Sequence, residues 1–311
     1  MLDLENVFDS WVASCSSNAK KLSERSVLQY RQRWQAFERW LSVQGKSVAT
    51  AGPDDLQLFV NTRVQRAANG EQPSVLTTSR YLRNLNHVYR HAVLSGCLDS
   101  NPAEQVVLPV SVRPHGTVLP QPWLLTIIED INMQPQSFTE LRNALLVHLC
   151  AVEAFSVADL TGLQLEDAQC VIPASGLKSD IQVQLQLRGQ RLAQRRARLL
   201  EGSSALLVYK WIQILPTLPG YHLSRYLLRS LPTKKNLTPK TVYEVCSNHV
   251  RASLNKLQVD QLPYHLGPNV LRNSCIVEWM NHGALPEAVC AKIGISNPSK
   301  LDRLAHAFNL Q

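Results

Sequence analysis

Arginine carries most of the chemical signal in this chain. Arg188, Arg191, Arg195, Arg196 and Arg198 crowd one short segment with no acid between them. A planar guanidinium grips phosphate oxygens with parallel N–H donors, so the cluster reads as contact to a nucleic-acid backbone. The alternative is a solvated charge run. Arg83, His87 and Arg90 recur at three- or four-residue spacing and share one helical face, with Arg80 and Asn84 beside them. Such a helix suits a major groove, with arginine reading guanine and asparagine reading adenine. The alternative is a polar face turned to water. Lys234, Lys235 and Lys240, with Asn248, Arg251 and Lys256, gather about a helix opened by Thr238-Pro239. A helix N-terminus with lysines nearby suits a phosphate. Lys20, Lys21, Arg25, Arg31 and Arg33 form a further basic group at the start of a long helix. Arg272 reads either as a bidentate phosphate clamp or as half of a structural ion pair. Asn269, three residues earlier, can add a weaker hydrogen bond to the same phosphate.

The whole chain agrees with an acidic polymer as partner: 311 residues carry a net charge of +8, with pI near 9.2, although basic charge alone is a weak sign. Apolar residues make up 45% and charged residues 18%, an ordinary globular balance. No stretch reaches the ~18 uncharged apolar residues of a membrane span. The N-terminus lacks the order of a secretion signal, so the expected location is the cytoplasm, with the nucleoid. Seven scattered cysteines, never in a CxxC pair, suggest reduced thiols packed in a core. Cys275, Cys290, His282 and His306 match no closed zinc spacing, and core packing is the preferred reading for them. Neither a metal nor a cofactor is expected. The aromatic residues are spaced as core, not as a platform for single-stranded bases.

The elements that must position these groups are mostly helical. Residues 1 to about 105 read as four helices: Leu4–Ser16, a long one from Ser23 to Gly45, one from Pro53, and Ser74–Ser95 closed by Gly96. Residues 106–118, rich in proline, read as a linker. Residues 119–311 look mixed. Helices are expected at Pro122–Asn132, Phe138–Ala154, Ser204–Ile214, Thr238–Leu257, Pro268–Asn281 and Pro286–Ile293. Strands are expected at Val171–Pro173, Ile181–Leu187 and Arg196–Leu200, since Gln182 to Leu187 alternates polar and apolar residues with period two. The fold class is therefore mainly α with a small antiparallel β-sheet (α+β).

One run ties these features together. His265-Leu266-Gly267-Pro268-Asn269-Val270-Leu271-Arg272 resembles the second active-site motif of the tyrosine recombinases, or phage integrases, in which Thr-Pro-His precedes two residues and an arginine. Without a gap, Gly283 then stands at a family glycine and Ile293-Gly294-Ile295 at a Leu-Gly-His motif. Leu304 stands about where the nucleophilic tyrosine falls. Upstream, Ser156-Val157-Ala158-Asp159-Leu160 resembles the segment of the first family arginine, with Ser156 in the arginine's place. The first half resembles the helical, SAM-like core-binding domain of the family, and the second its catalytic-type domain. The family's hairpin lysine is the least certain match, with Lys178, Arg188 and Arg191 nearby.

The resemblance implies two domains closing on duplex DNA. It also implies losses at Ser156, Asn269, Ile295 and Leu304, with Arg272 retained. Without a tyrosine there is no covalent intermediate. One lost stabiliser of the phosphate costs on the order of 10²–10³ in rate, and lost proton transfer roughly 10²–10⁴. The expectation is thus a sequence-specific duplex-binding protein that is not an enzyme, acting as regulator or accessory factor of a mobile element. Two alternatives stand beside it. One is an active recombinase with a displaced nucleophile, such as Tyr264 or a tyrosine donated by a partner. The other is a protein-interaction scaffold. Leu301, Leu304, Ala305 and Phe308 make an apolar stripe that would dock on another copy or on an active recombinase, or else pack on their own domain.

Overall fold

The computed structural model describes residues 6–17, 22–63, 75–106, 115–131, 134–172, 177, 180–189, 194–218, 220–230, 236–259, 261–263 and 266–308. The chain forms two compact units, Met1–Arg113 and Pro114–Gln311. Lys20, Lys21, Lys178, Arg191, Lys234, Lys235 and Tyr264 lie outside the described residues, as does most of the expected linker.

The first unit holds α1 (Val7–Ser17), α2 (Glu24–Val43), α3 (Pro53–Arg63), α4 (Val75–Leu94) and a 3-10 turn at Pro102–Glu104. Helix α2 starts where the Ser23 hydroxyl accepts the Ser26 amide at 3.2 Å, which satisfies one of the free N–H groups of the first turn. It ends into Gly45, whose φ of +66° is natural for glycine alone. The apolar faces of the helices meet around Trp34, Phe37, Phe59 and Tyr89, all buried. Phe37 and Phe59 are edge-on at 5.0 Å, and Trp34 and Tyr89 at 5.8 Å. Such pairs add about 0.5–1.5 kcal/mol each beyond area burial.

The second unit is built on α6 (Phe138–Ala151), which is buried from Leu141 to its end except at Asn143 and touches α5 (Gln121–Glu129), α8 (Gly202–Ile214), α9 (Pro239–Lys256) and α10 (Pro268–Asn281). A three-stranded antiparallel sheet runs in the order β1 (Ala168–Val171), β2 (Gln182–Leu187), β3 (Arg196–Leu200). Val183, Leu185 and Leu187 of β2 are buried, while the intervening glutamines are not, so the period-two pattern sets which face meets the core. Leu185 pairs with Ala168 on one side and Arg198 on the other. The remaining helices are α7 (Val157–Gly162) and α11 (Pro286–Ile293).

The expected mainly helical fold with a small antiparallel sheet is the observed one, although its first strand is Ala168–Val171 rather than Val171–Pro173, Pro173 lying outside the described residues. Three further differences stand out. Helix α6 stops at Ala151 rather than Ala154, because Ala154 takes a left-handed φ of +51° and the Phe155 amide turns back to the Leu149 carbonyl at 2.9 Å. The six-residue α7 was not expected; it is too short for a periodic apolar pattern, and it exists through its cap. The C-terminal stripe is not on an α-helix. Residues Asp302–Ala307 form a 3-10 turn, and Leu301 and Leu304 are buried in their own unit. Of the two readings of the stripe, packing on their own domain is the one those two side chains follow.

Candidate nucleic-acid interface

Helix α10 begins at Gly267 and Pro268. A Cβ at Gly267 would sit 2.3 Å from the Tyr243 ring, so only glycine fits. Asn269 is exposed in the first turn, and Arg272 follows on the same face one turn later. The Arg272 guanidinium donates Nη2 to the Ile293 carbonyl at 3.1 Å, and its buried Nε has no partner among the described residues. Burial pulls its pKa down, and Asp159 pushes it back. Arg272 is therefore a desolvated cation with donor capacity unused.

Ser156 opens α7 with a reciprocal cap. Its hydroxyl accepts the Asp159 amide at 3.1 Å, and Asp159 Oδ2 accepts the Ser156 amide at 2.9 Å. Asp159 is also the counter-ion of Arg196, whose Nη1 and Nη2 reach its oxygens at 3.2 and 3.1 Å. Arg196 donates Nε to the Lys292 carbonyl at 2.8 Å. Gly294, at φ +73°, admits this guanidinium; a Cβ there would lie 2.6 Å from Nη1.

The hairpin arginines divide by environment. Arg198 is buried, donating Nη2 to Glu153 at 2.5 Å and Nη1 to the Lys292 carbonyl at 2.9 Å, beneath the ring of Phe155 at 5.2 Å. Arg196 is nearly as enclosed. Arg198 is structural, which corrects the expectation that it contacts DNA, while Arg196 is paired with Asp159 at the wall of the cleft: the acids missing between them in sequence arrive in space from residues 153 and 159. Arg188 is half-exposed and donates to Asp167 at 2.6 Å and to Glu166, bonds that raise its pKa. Arg195 is exposed.

A cleft of about 910 Å³ unites these elements. It is lined by Ser156, Asp159, Arg188, Arg196, Arg225, Tyr226, Asn236, Arg272 and Ile295, among others. Sequence reading missed Arg225, Tyr226 and Asn236. Arg225 was visible as an arginine with no acid within its own run, Ser224 to Ser230. Four arginines against one lining carboxylate make the cleft an anion site in chemical character. Leu304 does not line it. That side chain is fully buried among Ala154, Cys275, Ile276 and their neighbours, and a Cβ on Gly116 would lie 2.6 Å from it.

In the first unit, Arg80, Arg83, His87 and Arg90 are exposed along α4. His87 stacks on Trp11 at 6.1 Å, and burial, then Arg83 and Arg90, lower its pKa. Asn84 is not beside them. It is 1% exposed, with both amide atoms unpartnered among the described residues, and so its expected role in reading adenine is corrected. Lys240 is exposed at the start of α9, 3.7 Å from Glu244, on a helix capped by Thr238 accepting the Thr241 amide at 3.1 Å. Cys275 and Cys290 are buried in the core while His282 is exposed and bound to Glu278. Among the described residues no cluster holds metal-ligand geometry, and no helix is long and apolar enough to cross a membrane.

Comparison with known proteins places this geometry. Residues 16–96 match the phage integrase, N-terminal SAM-like domain family. A tyrosine recombinase of Thermosipho africanus (strain TCF52B) is 24% identical over 157 residues, covering 50% of this chain and 53% of the relative. The match thus spans about half of that relative's length. Among solved structures, the lambda integrase dimer bound to a COC′ core site superposes with a TM-score of 0.68 at 13% identity, over 100% of this chain and 79% of that one. The XerH site-specific recombinase bound to palindromic difH substrate gives 0.70 at 14%, over 96% and 80%. The Tn1549 transposon integrase with transposon right end DNA gives 0.68 at 14%, over 98% and 95%. The fold is that of the integrases, and the family and the curated relative support kinship with the tyrosine recombinases. The expectation that the chain is not an enzyme is corrected by these matches: the relatives are recombinases and integrases, which are enzymes.

Proposed function

We propose that this protein binds duplex DNA at a specific site and serves the recombination or integration of a mobile element. The carrying observation is the arginine-lined cleft, with Arg272 desolvated and its Nε unpartnered at the start of α10. A DNA phosphate supplies the acceptor that this guanidinium lacks, and a partly dry site strengthens each charge-assisted bond. The exposed Arg80, Arg83, His87 and Arg90 on α4 supply a second surface, suited to groove contacts. Likeness to integrases solved on DNA supports duplex rather than single-stranded DNA as the partner.

The test is selection from fragmented DNA of the source genome at about 150 mM salt, with sequencing of what stays bound, because non-specific phosphate contact weakens steeply with salt. Enrichment of a few loci at element ends supports the reading. Uniform recovery removes the site-specific part, and no recovery removes DNA binding altogether.

A further inference from the structure

Of the four arginines in the cleft, two are neutralised within the fold: Arg196 by Asp159, and Arg188 by Asp167 and Glu166. Arg272 keeps its Nε free. The fourth, Arg225, is exposed, and its side chain has no hydrogen bond or carboxylate among the described residues. Its guanidinium lies over the Tyr226 ring, 5.6 Å from the centroid.

The backbone under Arg225 is held unusually well for an exposed residue. The Leu165 amide donates to its carbonyl at 2.8 Å, the Leu227 amide to the Leu163 carbonyl at 3.0 Å, and buried Arg229 donates Nη2 to the Tyr226 carbonyl at 2.9 Å. These bonds tie the segment to the chain just beyond α7, whose first residue is preceded by Ser156 in the same cleft. A free cation on a fixed backbone, stacked on a ring that limits its rotamers, loses little entropy on meeting an anion.

We infer that Arg225, rather than the neutralised Arg188 or Arg196 of the β2–β3 hairpin, is the second guanidinium that takes a DNA phosphate together with Arg272, and that Tyr226 is the residue that positions it. This rests on the duplex-binding reading above. It differs from that reading in naming which cations meet DNA: two without carboxylate partners, one of them from a segment with no basic cluster.

The experiment measures the affinity of the full chain for a labelled duplex recovered by selection, and for a mixed-sequence duplex, over a range of salt. Arg225→Ala is expected to weaken binding about tenfold and to reduce the log–log salt slope by about 0.9, one phosphate contact. Arg225 is exposed, so the variant retains the wild-type thermal transition. Tyr226→Phe keeps the ring and binds as wild type, while Tyr226→Ala loses part of the Arg225 effect. Combining Arg225→Ala with Arg272→Gln costs less than the sum of the two, because they share an anion. Wild-type affinity and slope in Arg225→Ala, with the parent protein still binding duplex, overturn this inference alone. Full additivity with Arg272→Gln does the same. Failure of the parent protein to bind any duplex overturns the functional reading as well.

Discussion

Glu153 and Arg198 form an ion pair inside the second unit, Oε2 to Nη2 at 2.5 Å, with the two side chains 12% and 5% exposed. The other glutamate oxygen accepts the Ser204 hydroxyl at 2.7 Å, and Ser204 meets His148 Nε2 at 2.9 Å. Removing one member of such a pair leaves the other charged and dry, which costs about 3–5 kcal/mol. Arg198→Ala is therefore expected to lower the unfolding free energy read from urea melts by that amount. In the folded fraction it leaves DNA affinity as in wild type. A loss of affinity without loss of stability would return Arg198 to the DNA surface.

His148 titrates at about 4 because burial disfavours its charged form. In the unfolded chain it titrates near 6.5. Between these values the unfolded chain binds a proton that the folded chain does not, so stability is complete above pH 6.5 and declines as pH falls toward 4, by on the order of 3 kcal/mol. Thermal melts from pH 7 to 4.5 check this against His148→Gln, which is expected to show a shallower decline. Parallel curves would place the acid sensitivity elsewhere.

Leu304 stands where the resemblance puts a tyrosine, but the position is core. Leu304→Tyr forces a phenol against Gly116 and Asn273, an overpacking that costs about 1–3 kcal/mol. The expected result is a lower melting temperature and no more covalent adduct on a nicked suicide duplex than the parent protein gives. A new adduct at residue 304 would show that the turn opens far enough to present it.

Asn84 offers the opposite case. Its amide is buried without partners among the described residues, which costs about 1–3 kcal/mol for a lost solvation shell. Asn84→Leu is expected to raise the melting temperature and leave DNA affinity unchanged. A fall in specific affinity would reinstate it as a base-reading residue.

Much of this was legible along the chain. Arg196–Leu200, Pro268–Asn281 and Pro286–Ile293 fall where alternation, Pro at the first helical turn and Gly283 or Gly294 beyond the end place them. The burial of Asn84 is written in its spacing: it lies next to Arg83, about 100° round the helix, and four residues before buried Val88. The hairpin arginines were not legible. Whether a basic run faces DNA or folds inward depends on acids brought up from Glu153, Asp159, Glu166 and Asp167, and no local pattern reports such long-range pairing. Arg225 escaped for the complementary reason, since a lone arginine forms no cluster and gains its meaning from the cleft.

The second unit ties the first stretch of its chain to its last. The Gly116 amide donates to the Arg303 carbonyl at 2.8 Å. Asn273 of α10 bridges the two, donating to the Thr117 carbonyl at 3.0 Å and accepting from Arg303 at 2.8 Å. Next to it, Ser274 accepts the Leu119 amide at 2.8 Å. A pull along the chain at residue 116 therefore meets the Asp302–Ala307 turn and, through Thr117 and Leu119, α10, the helix that carries Arg272. Mechanically, the strap and the grip share one anchor, because Asn273 and Ser274 directly follow Arg272 on the same helix.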